Sequence, residues 1–165
     1  MSRPVLTIQQ ILSLLQATPS RIAEITAGMT QDQLHTTPAP DEWSANDVLA
    51  HLHSCADVWG DGIRMILSHR TPTIHAVNPR TYIKQTNYLE QKFPAQLRAF
   101  AAQRQALLAV LERLTPRSWS RKALITGAGS PLEWTVLIYA TRLAVHERSH
   151  LKQFKRIAKT LRGER

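Results

Sequence analysis

The stretch Val136-Leu137-Ile138-Tyr139-Ala140-Thr141-Arg142-Leu143-Ala144-Val145-His146-Glu147-Arg148-Ser149-His150-Leu151 decides how this chain is read. At 100° per residue, Val136, Tyr139, Leu143, Phe154, Ile157 and Leu161 lie along one side of a helix. Basic residues from Arg148 onward project from the other side. Glu147 and His150 fall inside the apolar sector and His146 at its edge, so a polar notch interrupts a core-facing stripe. Side chains four apart on a helix are neighbours, about 5–6 Å apart at Cβ, and two such imidazoles can reach one ion at roughly 2.0–2.1 Å.

Burying two imidazoles and a carboxylate beside leucines costs a few kcal/mol for each unsatisfied polar group. The groups therefore bond one another, line a wet pocket, or hold a metal. A third histidine, His51, occupies a comparable apolar position far upstream, three residues after Val48 and four before Cys55. Two ligands from one helix and one from another make a usable site. His146 to His150 also matches the H-E-x-x-H pattern of zinc proteases, with Glu147 as general base. Only fifteen residues follow, none a histidine, and the glycine turn of the extended motif is missing.

Outward from this stretch, the punctuation predicts four helices. Gly127-Ala128-Gly129 reads as a bend, with Ser130 as cap, Pro131 at the first helical position and Glu133 closing a capping box for the last helix. Thr7 with Gln10 caps the first helix, which runs to about Gly28 with Pro19 expected to kink or split it. Thr30 with Gln33 opens a short turn, followed by a proline-rich connector from Thr36 to Pro40. Ser44 with Asp47 caps the second helix, Trp43 is placed to staple it, and Val48, Leu52, Cys55, Trp59, Ile63 and Ile66 mark its buried face. Ser68 to Asn87 is long enough to be a crossover from one end of a bundle to the other. Phe93, Leu97, Phe100, Leu107, Leu108, Leu111 and Leu114 trace the third helix.

Composition bounds the function. The 165 residues, 43% of them hydrophobic, suit one domain over 1–165, and no apolar run approaches the ~18 residues that cross a bilayer. A single cysteine excludes an internal disulfide, and the N-terminus shows no secretory cleavage pattern; both lead us to expect a cytoplasmic protein. The net charge of +9 is concentrated: from Arg142 onward, eight Lys/Arg face two acidic residues. A basic binding face for nucleic acid or an acidic partner is the alternative to an enzyme. No aromatics interleave with these charges, as a single-strand binder would want.

Two segments together, Glu42-Trp43-Ser44-Ala45-Asn46-Asp47-Val48-Leu49-Ala50-His51-Leu52 and His146-Glu147-Arg148-Ser149-His150-Leu151-Lys152-Gln153, resemble the DinB-like superfamily with its YfiT-type thiol-transferase relatives. The order of elements agrees over nearly the whole chain. The resemblance implies an all-α four-helix bundle in up-down-down-up order, a homodimer, and a divalent metal, zinc or nickel, on His51, His146 and His150. It further implies a low-molecular-weight thiol, activated by the metal for transfer to a small electrophile.

Other residues carry weaker expectations. Glu147 is placed to orient the ligands or accept a proton, or else to bridge to another helix. Arg142, one turn before His146, could attract a substrate carboxylate, and Tyr139 could line the pocket floor. Cys55 is either a buried thiol or a soft ligand. Asp47 caps its helix or orients His51. His35, His53, His69 and His75 have no partners by spacing and are expected in loops or on the surface. Gly127 to Ser130 could cradle an anion at a helix N-terminus.

Overall fold

Three capping boxes organise the first half of the fold. In the computed structural model, which describes residues 5–164, Thr7, Thr30 and Ser44 each accept from the amide three residues on. The side chains of Gln10, Gln33 and Asp47 accept in return from the cap's own amide. Two orphan donors are thereby satisfied at each helix start. These boxes open α1 (Ile8–Ile25), α2 (Gln31–His35) and α3 (Ala45–Ser68). Gly28, at φ +76°, supplies the left-handed turn after α1 that a side chain would resist.

The crossover contains β1 (Thr73–His75), α4 (Pro79–Tyr82) and two 3-10 turns before α5 (Phe93–Leu111), whose Pro94 sits in the first turn. Next come α6 (Pro116–Trp119), β2 (Lys122–Thr126), β3 (Leu132–Thr135) and α7 (Val136–Leu161). α1 and α3 each pack against both α5 and α7, which closes a four-helix bundle in the expected order. Ile11, Leu15, Leu49, Leu52, Ile63, Phe100, Leu107, Leu143 and Phe154 fill its core. The basic residues Arg148, Lys152, Lys155, Arg156 and Lys159 are all exposed.

The connections add three short strands to the bundle: β1 pairs parallel with β2, and β2 antiparallel with β3, in a small sheet. One sequence expectation needs correction. The last helix does not start at Ser130. Leu132 to Thr135 form β3, Thr135 caps α7 by accepting from the Ile138 amide, and Glu133 instead bonds Lys122 across the hairpin at 2.9 Å. Gly127 to Ser130 is therefore a hairpin turn, with positive φ at Gly127 and Gly129, and no anion cradle at a helix end.

Pro19 neither splits nor ends α1. Lacking an N–H, it leaves the carbonyl of Leu15 without its helical donor. Arg104 of α5 supplies one: its Nη1 donates to the Leu15 carbonyl at 3.0 Å. The same guanidinium grips Glu147 of α7 in a two-pronged ion pair, with Nη1 2.7 Å from Oε2 and Nη2 on Oε1; each residue is 1% exposed. One buried arginine thus joins α1, α5 and α7 beside the histidines of α7.

Candidate metal centre

The capping box of α3 fixes where His51 emerges, and the α3–α7 packing turns His146 and His150 toward it. The Nε2 atom of His146 lies 3.1 Å from Nε2 of His51 and 3.1 Å from Nε2 of His150. All three rings contact one another, with centroids 4.4–5.1 Å apart. Spacing within α7 made the second contact foreseeable. The first joins residues 95 positions apart, and only the fold supplies it.

Nδ1 of His150 donates to Oε1 of Gln153 at 2.7 Å, which leaves its Nε2 as a lone pair aimed at His146. Burial pulls the pKa of His51 down to about 4 and that of His146 to about 3, helped by His150 and by Arg80; His150 is lowered too, again by burial first. All three are neutral near pH 7. Two 3.1 Å contacts then meet at one nitrogen, and a single proton cannot serve both linearly. Nδ1 of His146 is buried without a partner among the described residues.

The chemistry of these donors fits a divalent cation. With metal–nitrogen bonds of ~2.0–2.1 Å and tetrahedral angles, neighbouring ligand nitrogens stand about 3.3–3.4 Å apart, a few tenths of an ångström beyond the two contacts that His146 makes, to His51 and to His150. Sγ of Cys55, one turn after His51, is 3.6 Å from Nε2 of His51, and His51, Cys55 and His146 present ligand atoms within 4.8 Å of one another. Burial raises the Cys55 thiol to about 12, so without a cation it stays protonated.

Glu147 does not enter this cluster. Both its oxygens are held by Arg104, which corrects the expectation that it accepts a proton during chemistry; the bridge to another helix is what forms. Asp47 is likewise committed to its cap, accepting from the amide and hydroxyl of Ser44. The Trp43 ring stands against His51 at 5.1 Å, and Trp59 stands against His146 at 5.1 Å.

Arg142 and Tyr139 line a cavity of about 730 Å³, together with Trp59, Trp134, Ile74 and Tyr82; Trp59 stands between it and His146, and a second cavity of about 880 Å³ is lined by Arg142 and His146 themselves. Gly62 matters here because a Cβ would fall 2.6 Å from the Tyr139 ring; its absence lets that ring lie against α3. Arg142 is exposed and sits between Trp59 and Trp134, 5.1 Å from each ring centre.

His53 was expected at the surface and is 6% exposed. It stacks on Tyr88 at 4.0 Å, faces Oε1 of Gln96 at 3.3 Å and approaches Asp57, which accepts from the Tyr88 hydroxyl. This network ties the crossover to α3. Its partners lie 31 and 43 residues apart along the chain, so no local spacing betrays it. His35, His69 and His75 are exposed, as expected.

The chain is a four-helix bundle that gathers histidines from its second and fourth long helices at one point. The model of the DinB superfamily matches residues 14–154. The chain belongs to the DinB superfamily. Among solved structures it is similar to YfiT from Bacillus subtilis, described as a probable metal-dependent hydrolase with an unusual four-helix bundle topology. Identity is 16%, the match covers 100% of this chain and 94% of that one, and the TM-score is 0.80. No curated protein matches the sequence.

Proposed function

We propose that this protein is a metal-dependent enzyme in which His51, His146 and His150 hold a divalent cation, zinc or nickel, and a low-molecular-weight thiol is transferred to a small electrophile. The observation that carries the metal is the meeting of three neutral Nε2 atoms within two 3.1 Å contacts. A bound cation would supply Lewis acidity, lowering the pKa of a thiol or water and leaving positions open for it. The protein's own residues would do the rest. Gln153 holds the His150 tautomer, Trp43 and Trp59 keep water from the backs of the imidazoles, and the Arg142–Tyr139 cavity receives the electrophile.

The thiol rests on resemblance, and the likeness to YfiT favours hydrolysis, with water in the thiol's place, as a second reading. The two are separated by product. Metal-loaded protein is incubated with a chromogenic electrophile and a panel of small thiols, and products are weighed by mass spectrometry. A thiol adduct lost on chelation supports transfer; a metal-dependent hydrolysis product supports the second reading; identical products with and without metal overturn both. Homodimerisation is part of the proposal, tested by sedimentation. The rival binding module on the exposed basic face of α7 predicts salt-sensitive DNA retention that disappears when Lys152, Lys155 and Lys159 are neutralised.

A further inference from the structure

The cavity of about 730 Å³ is lined by none of the three clustered histidines. Its walls come from α3, from the crossover with β1 and α4, from the β2–β3 hairpin and from the start of α7. The small sheet thus supplies one side of a space that the bundle alone would leave open. Met65, Val77 and Leu132 line this space and are exposed, so an occupant that covers them gains hydrophobic free energy.

Asp61 and Arg142 bring opposite charges to the wall. Asp61 bonds Arg64 at 3.2 Å, whereas Arg142 enters no ion pair among the described residues. The Arg142 guanidinium lies 5.1 Å from the ring centres of both Trp59 and Trp134. Indoles on both sides fix its plane and leave its N–H edge to a planar, two-pronged acceptor, which describes a carboxylate. Tyr139 meets Trp134 nearly edge to face at 4.9 Å, and Tyr82 adds a further ring to the wall. An aromatic ligand finds edge and offset partners here that an alkyl chain cannot use.

We infer that this cavity binds a planar aromatic monocarboxylate, with the carboxylate on Arg142 and the ring among Trp134, Tyr139, Tyr82 and the aliphatic side chains. One acid group suffices, because the cavity presents one cation without an ion-pair partner among the described residues. The inference gives a chemical class to the molecule that the proposed function places in this cavity, and it rests on that reading only for that molecule's part in the reaction. Arg142 also lines the second cavity, the one that His146 enters, so the acid end sits at the wall common to both. Binding itself requires neither a cation nor a histidine.

The test is calorimetric titration of chelator-stripped, tag-free protein with 2-naphthoate, with 2-naphthalenemethanol, which lacks the charge, and with octanoate, which lacks the rings. Naphthoate should bind at least about tenfold more tightly than either. Arg142→Gln should weaken naphthoate about tenfold, the loss of one charge-assisted contact, and leave the alcohol unaffected, with the melting temperature unchanged. Arg142→Lys should fall between, keeping the charge but losing the fork. Leu132→Asp, in the wall of this cavity alone, should cost about as much as Arg142→Gln, while Val145→Asp, in the wall of the other cavity alone, should leave binding as it was. Equal affinity for the three ligands, indifference to Arg142→Gln, or a loss with Val145→Asp in place of Leu132→Asp overturns the site. If the wild type takes up no zinc yet binds naphthoate with this dependence, the metal reading fails and the site stands; if it takes up zinc and binds no naphthoate, the site alone fails.

Discussion

α7 carries a buried polar cluster and a half-buried one, one residue apart, and they are built on opposite principles. Glu147 meets a guanidinium that satisfies both its oxygens and also bonds the Leu15 carbonyl, leaving only Nε of Arg104 without a partner among the described residues. His146 meets two further nitrogens that, like itself, are neutral and short of protons. The first cluster pairs charge with charge, lacks a partner only at that one nitrogen of Arg104, and reads as architecture. The second leaves contacts between neutral nitrogens that no ion pair balances, and that deficit is the observation behind the proposed cation.

The sharpest way to break this contrast is through the ion pair. Arg104→Met should cost about 3–5 kcal/mol in urea denaturation, because it strands a buried carboxylate and an unpaired carbonyl. Pairing it with Glu147→Leu should recover most of that loss. Near-equal stabilities of the single and double variants would mean the ion pair is not what holds the three helices together.

Gly62→Ala ranks next. A Cβ 2.6 Å from the Tyr139 ring forces the ring or α3 to move, for about 1–3 kcal/mol, while metal uptake stays intact. Pro19→Ala should be milder. Removing an interior proline normally recovers ~3 kcal/mol, but here Arg104 already serves the freed carbonyl, so a gain near 1 kcal/mol is expected. Smallest is His146→Ala in metal-free protein, which should change stability by less than about 1 kcal/mol, since the imidazole already lacks a partner at Nδ1. A loss as large as that of Arg104→Met would place His146 with the architecture.

Much of this was legible in the sequence, in a pattern that follows locality. Thr7, Thr30 and Ser44 advertise their helices because a capping box is a contact across three residues. His146 and His150 advertise their pairing because a helix brings i and i+4 together. The sheet was hidden, since β1 joins β2 from about 50 residues away and no local period announces a parallel pair. Ser130-Pro131-Leu132-Glu133 imitates a helix start closely, yet two glycines at positive φ fold it into a hairpin before Thr135 provides the true cap. Glu147 could be placed in the core from its position on the helix, but its partner could not, because Arg104 reads as an exposed cation until Pro19 and Glu147 are seen to meet it. Arg80 was invisible for the same reason: α4 carries it to the cluster from the middle of an irregular crossover.

The most direct test of the central claim is metal stoichiometry. Tag-free protein, stripped by chelation and titrated with zinc, should take up one ion per chain, and His146→Ala, which removes the nitrogen shared by both contacts, should take up less than about a tenth of that. Equal uptake by the two proteins, or none by the wild type, would contradict the account.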